Sequence, residues 1–199
     1  MINIKKREAT IKKMKEAYIK ICSVKDCNNI TISDVCKEAN LYRSTFYNYY
    51  HHIGELQDSI EEEIIGSLLT SAGDFSIFRL EVLVKSPKHL LQRYEMIMQI
   101  LYDNKAAVLA LMAPKSGASF ERKYREAIKK SILDALKTNK IESNQTIDYY
   151  LDYMSSGIAS AQYSWLKNGA MSLEEFSLLL NKLNVSIITT LIHTADTPA

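Results

Sequence analysis

Glycine and proline are scarce in this chain, with six and three residues among 199. Because strand-rich folds need frequent turns built from these two residues, their scarcity favours long helices. No run of about 18 apolar residues occurs, so the sequence predicts no membrane-spanning helix. The basic N-terminus is not followed by the apolar core of a secretory signal. We therefore expect an all-α protein of the cytoplasm with no membrane partner.

Motifs that mark catalytic and metal sites are also missing. The sequence has no glycine-rich phosphate loop, no nucleophile elbow and no HExxH motif. Its three cysteines, Cys22, Cys27 and Cys36, have no CxxC spacing and form no metal-ligand pattern with the four histidines. Their odd number argues against a disulfide framework. We expect no enzyme, no metal and no cofactor. A catalytic group assembled only in three dimensions is the rival interpretation.

Charge is distributed unevenly along the chain. Residues 1–54 hold ten Lys or Arg and five Asp or Glu, a balance of +5. The remaining residues hold 25 − 10 = 15 basic and 23 − 5 = 18 acidic side chains, a balance of −3. A basic front favours a polyanionic partner, although a lysine-rich helix is more often only a solvated face.

Two helices are predicted in the first forty residues. An amphipathic helix covers about residues 5–25, because apolar side chains recur there at helical spacing between lysines. Thr31 begins the second, short helix, since Asp34 follows three residues later as in a capping box. Asn40 ends that helix, because asparagine tolerates the left-handed backbone conformation.

A third helix over residues 43–50 divides the aromatic side chains of this region. Phe46, Tyr49 and Tyr50 fall on one side and anchor the helix, with Tyr42 near the same side. The opposite side is polar and carries Arg43, Ser44, Thr45, Tyr47 and Asn48. Two short helices joined by a tight turn form a helix-turn-helix, whose second helix presents donors for base edges and phosphates.

The segment TISDVCKEANLYRSTFYNYYHHIGEL resembles the DNA-binding domain of the TetR family of transcriptional regulators, over roughly residues 5–70. Its most specific part is the S-T-F-Y-x-Y-Y run, followed by Glu55 and Leu56. The resemblance implies a homodimeric, all-helical protein. Residues 1–52 would form the helix-turn-helix DNA-binding domain. Residues 53–199 would form a connecting helix and a larger helical domain for effector binding and dimerisation.

The same resemblance assigns roles in DNA binding. Thr31 would cap the second helix at a phosphate, and Lys5 or Lys6 would reach the backbone or the minor groove. The polar face of the third helix, residues 43–45 with Tyr47 and Asn48, would face DNA. The implied function is sequence-specific regulation, as a repressor released from a palindromic operator by a small-molecule effector.

Two departures from the family pattern support an alternative. Tyr42 stands where a small capping residue is usual, and Ile53 stands where a lysine often contacts phosphate. The alternative is a helical sensor or adaptor of the same fold that has lost sequence-specific DNA binding.

The body of the chain is predicted to be helical as well. A connecting helix covers residues 54–71, a short helix lies around 76–84, and a further helix runs from Pro87 to about 103. A loop contains Pro114 and Gly117, and two long helices cover about 144–167 and 172–193. Six large side chains are candidates for an apolar effector pocket, although each also suits an ordinary core: Tyr94, Met98, Tyr102, Met112, Tyr163 and Trp165.

The last two helices are apolar on two sides, which calls for packing partners on two sides. A four-helix interface between two chains would supply them, and complete burial within one monomer is the alternative. The predicted dimer interface consists of Tyr153, Gly157, Ser160, Ser164, Leu178, Val185, Ile188 and Ile192.

Overall fold

Nine α-helices and one 3₁₀ turn make up the part of the chain that the computed structural model describes, residues 2–72, 87–113, 116 and 118–195. The 3₁₀ turn is Cys27–Asn29. The helices are α1 (Ile2–Cys22), α2 (Ile32–Glu38), α3 (Arg43–Tyr47), α4 (Ile53–Ala72), α5 (Pro87–Asp103), α6 (Lys105–Leu111), α7 (Ser119–Thr138), α8 (Gln145–Asn168) and α9 (Leu173–Ala195). The predicted all-α fold is confirmed.

Helix ends follow local capping chemistry. The Thr31 hydroxyl accepts the Asp34 N–H at 3.2 Å, and the Asp34 carboxylate accepts the Thr31 N–H at 2.9 Å, which confirms the capping box of α2. Asn40 has a φ of 53°, the left-handed conformation predicted at the end of α2. Ser172 and Glu175 repeat the capping box at the start of α9.

The third helix differs from its prediction. It ends at Tyr47 instead of residue 50, and the chain continues as a turn. Tyr49 is therefore only half-buried, and Tyr42 is 84% exposed rather than close to the buried rings. The short helix expected at 76–84 and the loop residues Pro114 and Gly117 lie outside the described residues.

The chain divides into two compact units. The first comprises Met1–Ile64 with Asn104–Glu121, and the second comprises Ile65–Asp103 with Arg122–Ala199. This division differs from the one expected between residues 52 and 53, because α4 contributes residues to both units and α6 belongs to the first.

The first unit is built around α1. This helix packs against α2 and α6, and α2 packs against α3. Its core includes side chains that are at most 1% exposed, among them Met14, Tyr18, Val35, Phe46 and Leu56. A hydrogen-bonded chain then runs from the Tyr18 hydroxyl to Gln57 at 2.8 Å and from Gln57 to Glu61 at 2.7 Å. This chain fixes α1 against α4 within the unit.

In the second unit, α9 packs against α5 and α8, and α5 packs against α8. Its core contains Leu90, Met98, Leu101, Leu136 and Leu151, all of them fully buried. A few polar side chains also lie within this apolar interior, and they recur in the cavity described below.

Candidate nucleic-acid interface and effector cavity

One buried ring holds α3 in place. Phe46 is 0% exposed, and its ring centroid lies 5.7 Å from that of Tyr50 and 6.0 Å from that of Tyr47, the latter edge-on. The Tyr50 hydroxyl lies 3.1 Å from the Ser59 hydroxyl of α4. A helix of five residues is unstable alone, so these contacts fix its orientation.

The opposite face of α3 is open. Arg43, Ser44, Tyr47 and Asn48 are exposed, and Thr45 is half-buried. The Arg43 guanidinium donates to the Tyr47 hydroxyl at 3.4 Å. The structure thus brings the five predicted residues together as a patch of hydrogen-bonding groups, the chemistry that reads base edges and holds phosphates.

Tyr42 adjoins this patch, and the sequence analysis did not predict that position for it. It occupies the N-cap of α3, has an extended backbone and makes no side-chain capping bond. A helix N-cap has non-helical backbone angles, so helical periodicity does not apply to it. That position was the available signal against grouping Tyr42 with the buried rings.

Many of the basic side chains in the first unit are already paired. Lys15 lies 2.5 Å from Glu63, Lys25 lies 2.8 Å from Asp34, and Lys20 pairs with Glu38. Among the described residues 2–64, six exposed basic side chains form no ion pair: Lys5, Lys6, Arg7, Lys13, Lys37 and Arg43. These side chains, which include the three predicted to bind DNA, remain available to a polyanion.

Thr31 is exposed at the N-terminus of α2, but its hydroxyl is engaged. Besides accepting the Asp34 N–H, it donates to the Asp34 carboxylate at 2.9 Å. The hydrogen bond from Lys25, followed by those from Thr31, lowers the pKa of Asp34 to about 2. The Asp34 carboxylate of the capping box is therefore ionised at neutral pH.

The start of α4 replaces the usual lysine with different chemistry. Ile53 is half-buried. The Glu55 N–H donates to Nδ1 of His52 at 3.2 Å, and the Glu55 carboxylate accepts the His51 N–H at 2.5 Å. Both imidazoles are exposed, but Nε2 of His52 also lies 3.7 Å from the Glu55 carboxylate, so the His51 imidazole is the one open to an external partner at this helix end.

A cavity lies within the second unit. Its volume accessible to the centre of a water-sized sphere is about 100 Å³, and part of the cavity is open to solvent. Most of its wall is aliphatic and comes from five helices, with Ile65, Leu68, Leu90, Ile97, Ile128, Ile132, Ile158 and Ile188 among the residues. Its polar lining comes from Tyr94, Tyr124, Ser131 and Gln162. Burial raises the pKa of both tyrosines.

Of the six predicted effector residues, Tyr94 lines this cavity and the others do not. Met98 is fully buried in the core, whereas Tyr102 is 55% exposed. Tyr163 is half-buried, and the Trp165 ring stacks on a phenylalanine of α9. Met112 belongs to the first unit. The lining residues Tyr124, Ser131 and Gln162 were missed, and the signal for them was polar side chains on otherwise apolar helix stripes.

The predicted dimer residues of α8 form an open face. Tyr153 is 69% exposed, and Gly157, Ser160 and Ser164 are exposed as well. A Cβ added at Gly157 would meet no atom within 4 Å. Nothing in the described chain covers this row of side chains.

The predicted dimer residues of α9 lie in different environments. Leu178 is exposed, and Val185 is half-buried. Ile188 lies on the cavity wall instead. The Ile192 side chain lies outside the described residues. Leu183, which was not in the predicted set, is 51% exposed and extends the apolar surface.

A family model named TetR_C_8, described as "Transcriptional regulator C-terminal region", matches residues 88–185. The chain belongs to the TetR family of transcriptional regulators. No curated protein matches the sequence of this TetR-family regulator.

Solved structures share the fold of this TetR-family regulator. A TetR-family regulator from Syntrophomonas wolfei superposes with a TM-score of 0.67 at 14% identity, covering 92% of this chain and 96% of the other. One from Streptococcus agalactiae gives 0.61 at 18% identity, covering 92% and 97%. The dihydroxyacetone kinase operon activator DhaS gives 0.61 at 17% identity, covering 91% and 97%. These identities establish similarity of fold.

The described helices of this TetR-family regulator include none that is long and apolar enough to cross a membrane. Its described residues contain no group of three or more His, Cys, Asp or Glu side chains placed to hold a metal ion.

Proposed function

We propose that this TetR-family regulator binds DNA sequence-specifically by inserting the exposed face of α3 into the major groove. The observation that carries the proposal is the division of α3: Phe46 is fully buried, while Arg43, Ser44, Tyr47 and Asn48 are exposed together on the other side. Asn48 and Ser44 offer hydrogen bonds to base edges, and Arg43 offers a guanidinium to guanine or phosphate. Lys5 and Lys6 supply exposed charge for the DNA backbone.

Dimerisation is the second part of the proposal. The open faces of α8 and α9 expose the large apolar side chains Tyr153, Leu178 and Leu183, and a partner surface would bury them. A two-fold axis would cover the same face on both chains. Two heads would then bind the half-sites of a palindromic operator, roughly 34–36 Å apart.

The third part concerns control. The cavity of the second unit is the proposed effector site, and its ligand would favour a head spacing that no longer fits the operator. Operator DNA must then weaken ligand binding by the same factor. DhaS is named as an operon activator, so a reporter assay must decide between repression and activation. We propose that the protein represses transcription and that the effector releases it from the operator.

The DNA-binding proposal is tested with an operator selected from random duplexes and measured by fluorescence anisotropy. Replacing Ser44 and Asn48 together with alanine should relax the preferred sequence and weaken operator binding by about 1–3 kcal/mol for each base that these side chains read. Ser23→Ala with Asn29→Ala is the matched control, because both residues are exposed in the same unit but lie outside α3. If the folded Ser44/Asn48 variant keeps native affinity and sequence preference, α3 does not read DNA and the adaptor alternative takes its place.

A further inference from the structure

The cavity wall is unsuited to a charged ligand. It is formed mainly by branched aliphatic side chains such as Ile65, Leu68, Leu90, Ile97 and Ile132. None of the described lining residues is an Asp, Glu, Lys, Arg or His. Burying an ion against such a wall removes its hydration without giving it a partner of opposite charge. The wall therefore favours a hydrocarbon-rich molecule without net charge.

Two polar groups on the wall still have hydrogens to donate. Tyr94 is buried and its hydroxyl oxygen accepts a hydrogen bond from Asn184 Nδ2 at 2.7 Å, which leaves its own O–H free to donate. Gln162 is buried and its Oε1 accepts from the Tyr124 hydroxyl at 2.7 Å, which turns Nε2 away from that bond. Neither the Tyr94 O–H nor Gln162 Nε2 donates to another described residue.

These donors remain available at neutral pH. Burial raises the pKa of Tyr94 and of Tyr124, so both hydroxyls stay protonated. A buried donor without an acceptor is unfavourable, and a ligand that supplies an acceptor relieves that cost. Within an otherwise apolar wall, the few polar groups set the orientation and the specificity of the ligand.

We infer that the cavity binds an uncharged, hydrocarbon-rich molecule with a carbonyl-type acceptor, such as an ester or a ketone, which faces the Tyr94 hydroxyl and Gln162 Nε2. The inference rests on the proposed role of this cavity as the effector site and adds the chemical class of the ligand. It excludes free carboxylates and amines of the same chain length as preferred ligands.

The test compares three probes that share an eight-carbon chain, by calorimetry with the full-length protein: methyl octanoate, octanoate and octylamine. The ester should bind roughly tenfold or more tightly than either ion, because only the ions must lose charge hydration on entry. Equal or tighter binding of octanoate or octylamine would overturn the inference, as would the absence of saturable binding by all three.

One matched pair of variants and one single variant place the binding in the cavity. Ala127→Trp fills space at the lining and should abolish ester binding, whereas Ala106→Trp, at an exposed helical alanine of the first unit, should leave it unchanged. Tyr94→Phe keeps the ring and removes the hydroxyl that is proposed to donate to the ligand. It should weaken ester binding roughly tenfold or more. Native-like ester binding by a folded Ala127→Trp or Tyr94→Phe protein would contradict the assignment.

Repeating the titration with operator DNA separates the two proposals. If the ester binds as expected but operator DNA does not change its affinity, the ligand class stands and the proposed regulation fails. If an ion binds better and operator DNA weakens it, the regulation stands and the ligand class is wrong.

Discussion

Replacing Phe46 with alanine should unfold the DNA-binding head more severely than any other change in α3. The ring is 0% exposed and contacts the rings of Tyr47 and Tyr50. Burying a phenylalanine side chain is worth about 1.5–3 kcal/mol in transfer free energy. The empty space left behind raises the cost of Phe→Ala to about 3–5 kcal/mol. The free energy of unfolding of a domain is about 5–15 kcal/mol. This change therefore removes a large share of that free energy.

Urea titration followed by far-ultraviolet circular dichroism measures that destabilisation, and amide hydrogen exchange over residues 43–50 assigns it to the head. Tyr47→Ala is the matched control, because Tyr47 is the adjacent ring of the same helix but is 48% exposed. We expect Tyr47→Ala to cost at most about 1.5 kcal/mol, the edge-on ring contact included. If Phe46→Ala costs less than about 1 kcal/mol with an unchanged denaturant slope, the ring does not anchor α3 and the orientation of its polar face must be explained differently.

Three further outcomes are expected. Because the pKa of Asp34 is lowered from 3.8 to about 2 in the folded protein, its stabilising effect is full above its unfolded pKa and is lost as pH falls towards 2. Asp34→Asn should therefore lower the melting temperature at neutral pH, and the gap to the native protein should close in that acidic range; a constant gap would refute the linkage. Gly157→Leu should not destabilise the monomer, since nothing lies within 4 Å of the added Cβ, yet should shift sedimentation from dimer to monomer. A native protein that sediments as a monomer at micromolar concentration would count against the interface. Replacing all three cysteines with alanine should leave any response of DNA binding to oxidant unchanged, because the thiols are buried and burial raises the pKa of Cys22 and Cys36; an oxidant response that disappears in this variant would identify a redox sensor.

Features set by neighbouring residues were predictable from the sequence. The capping box of Thr31 and Asp34 needs only a spacing of three, and the left-handed Asn40 needs only a residue that tolerates it. The burial of Phe46 followed from helical periodicity alone. These local rules were enough to predict the helix-turn-helix and the polar face of α3.

Features set by residues that are distant in the sequence were not predictable. The early end of α3 leaves Tyr49 half-buried, and nothing in the local pattern marks residue 47 as the end. An apolar pocket with Tyr94 was predicted, but the rest of its polar lining was missed because it comes from helices far apart in sequence, as the bond between Tyr124 and Gln162 illustrates. Size and aromaticity selected Tyr102 and Trp165 instead, and these properties serve a core or a surface equally well.

The ion pairs of Lys15, Lys20 and Lys25 have a consequence for how the protein would search for its operator. Each lysine that neutralises a phosphate releases a condensed counterion. This release steepens the slope of log binding constant against log salt concentration by about 0.9. Lysines already paired with Glu63, Glu38 and Asp34 gain less from DNA, since an existing pair must be given up. The proposed contacts of Lys5, Lys6 and Arg43 in two heads would contribute about six such increments. The paired lysines would add little to the binding of random genomic sequence, and the hydrogen bonds of α3 would set the preference for the operator.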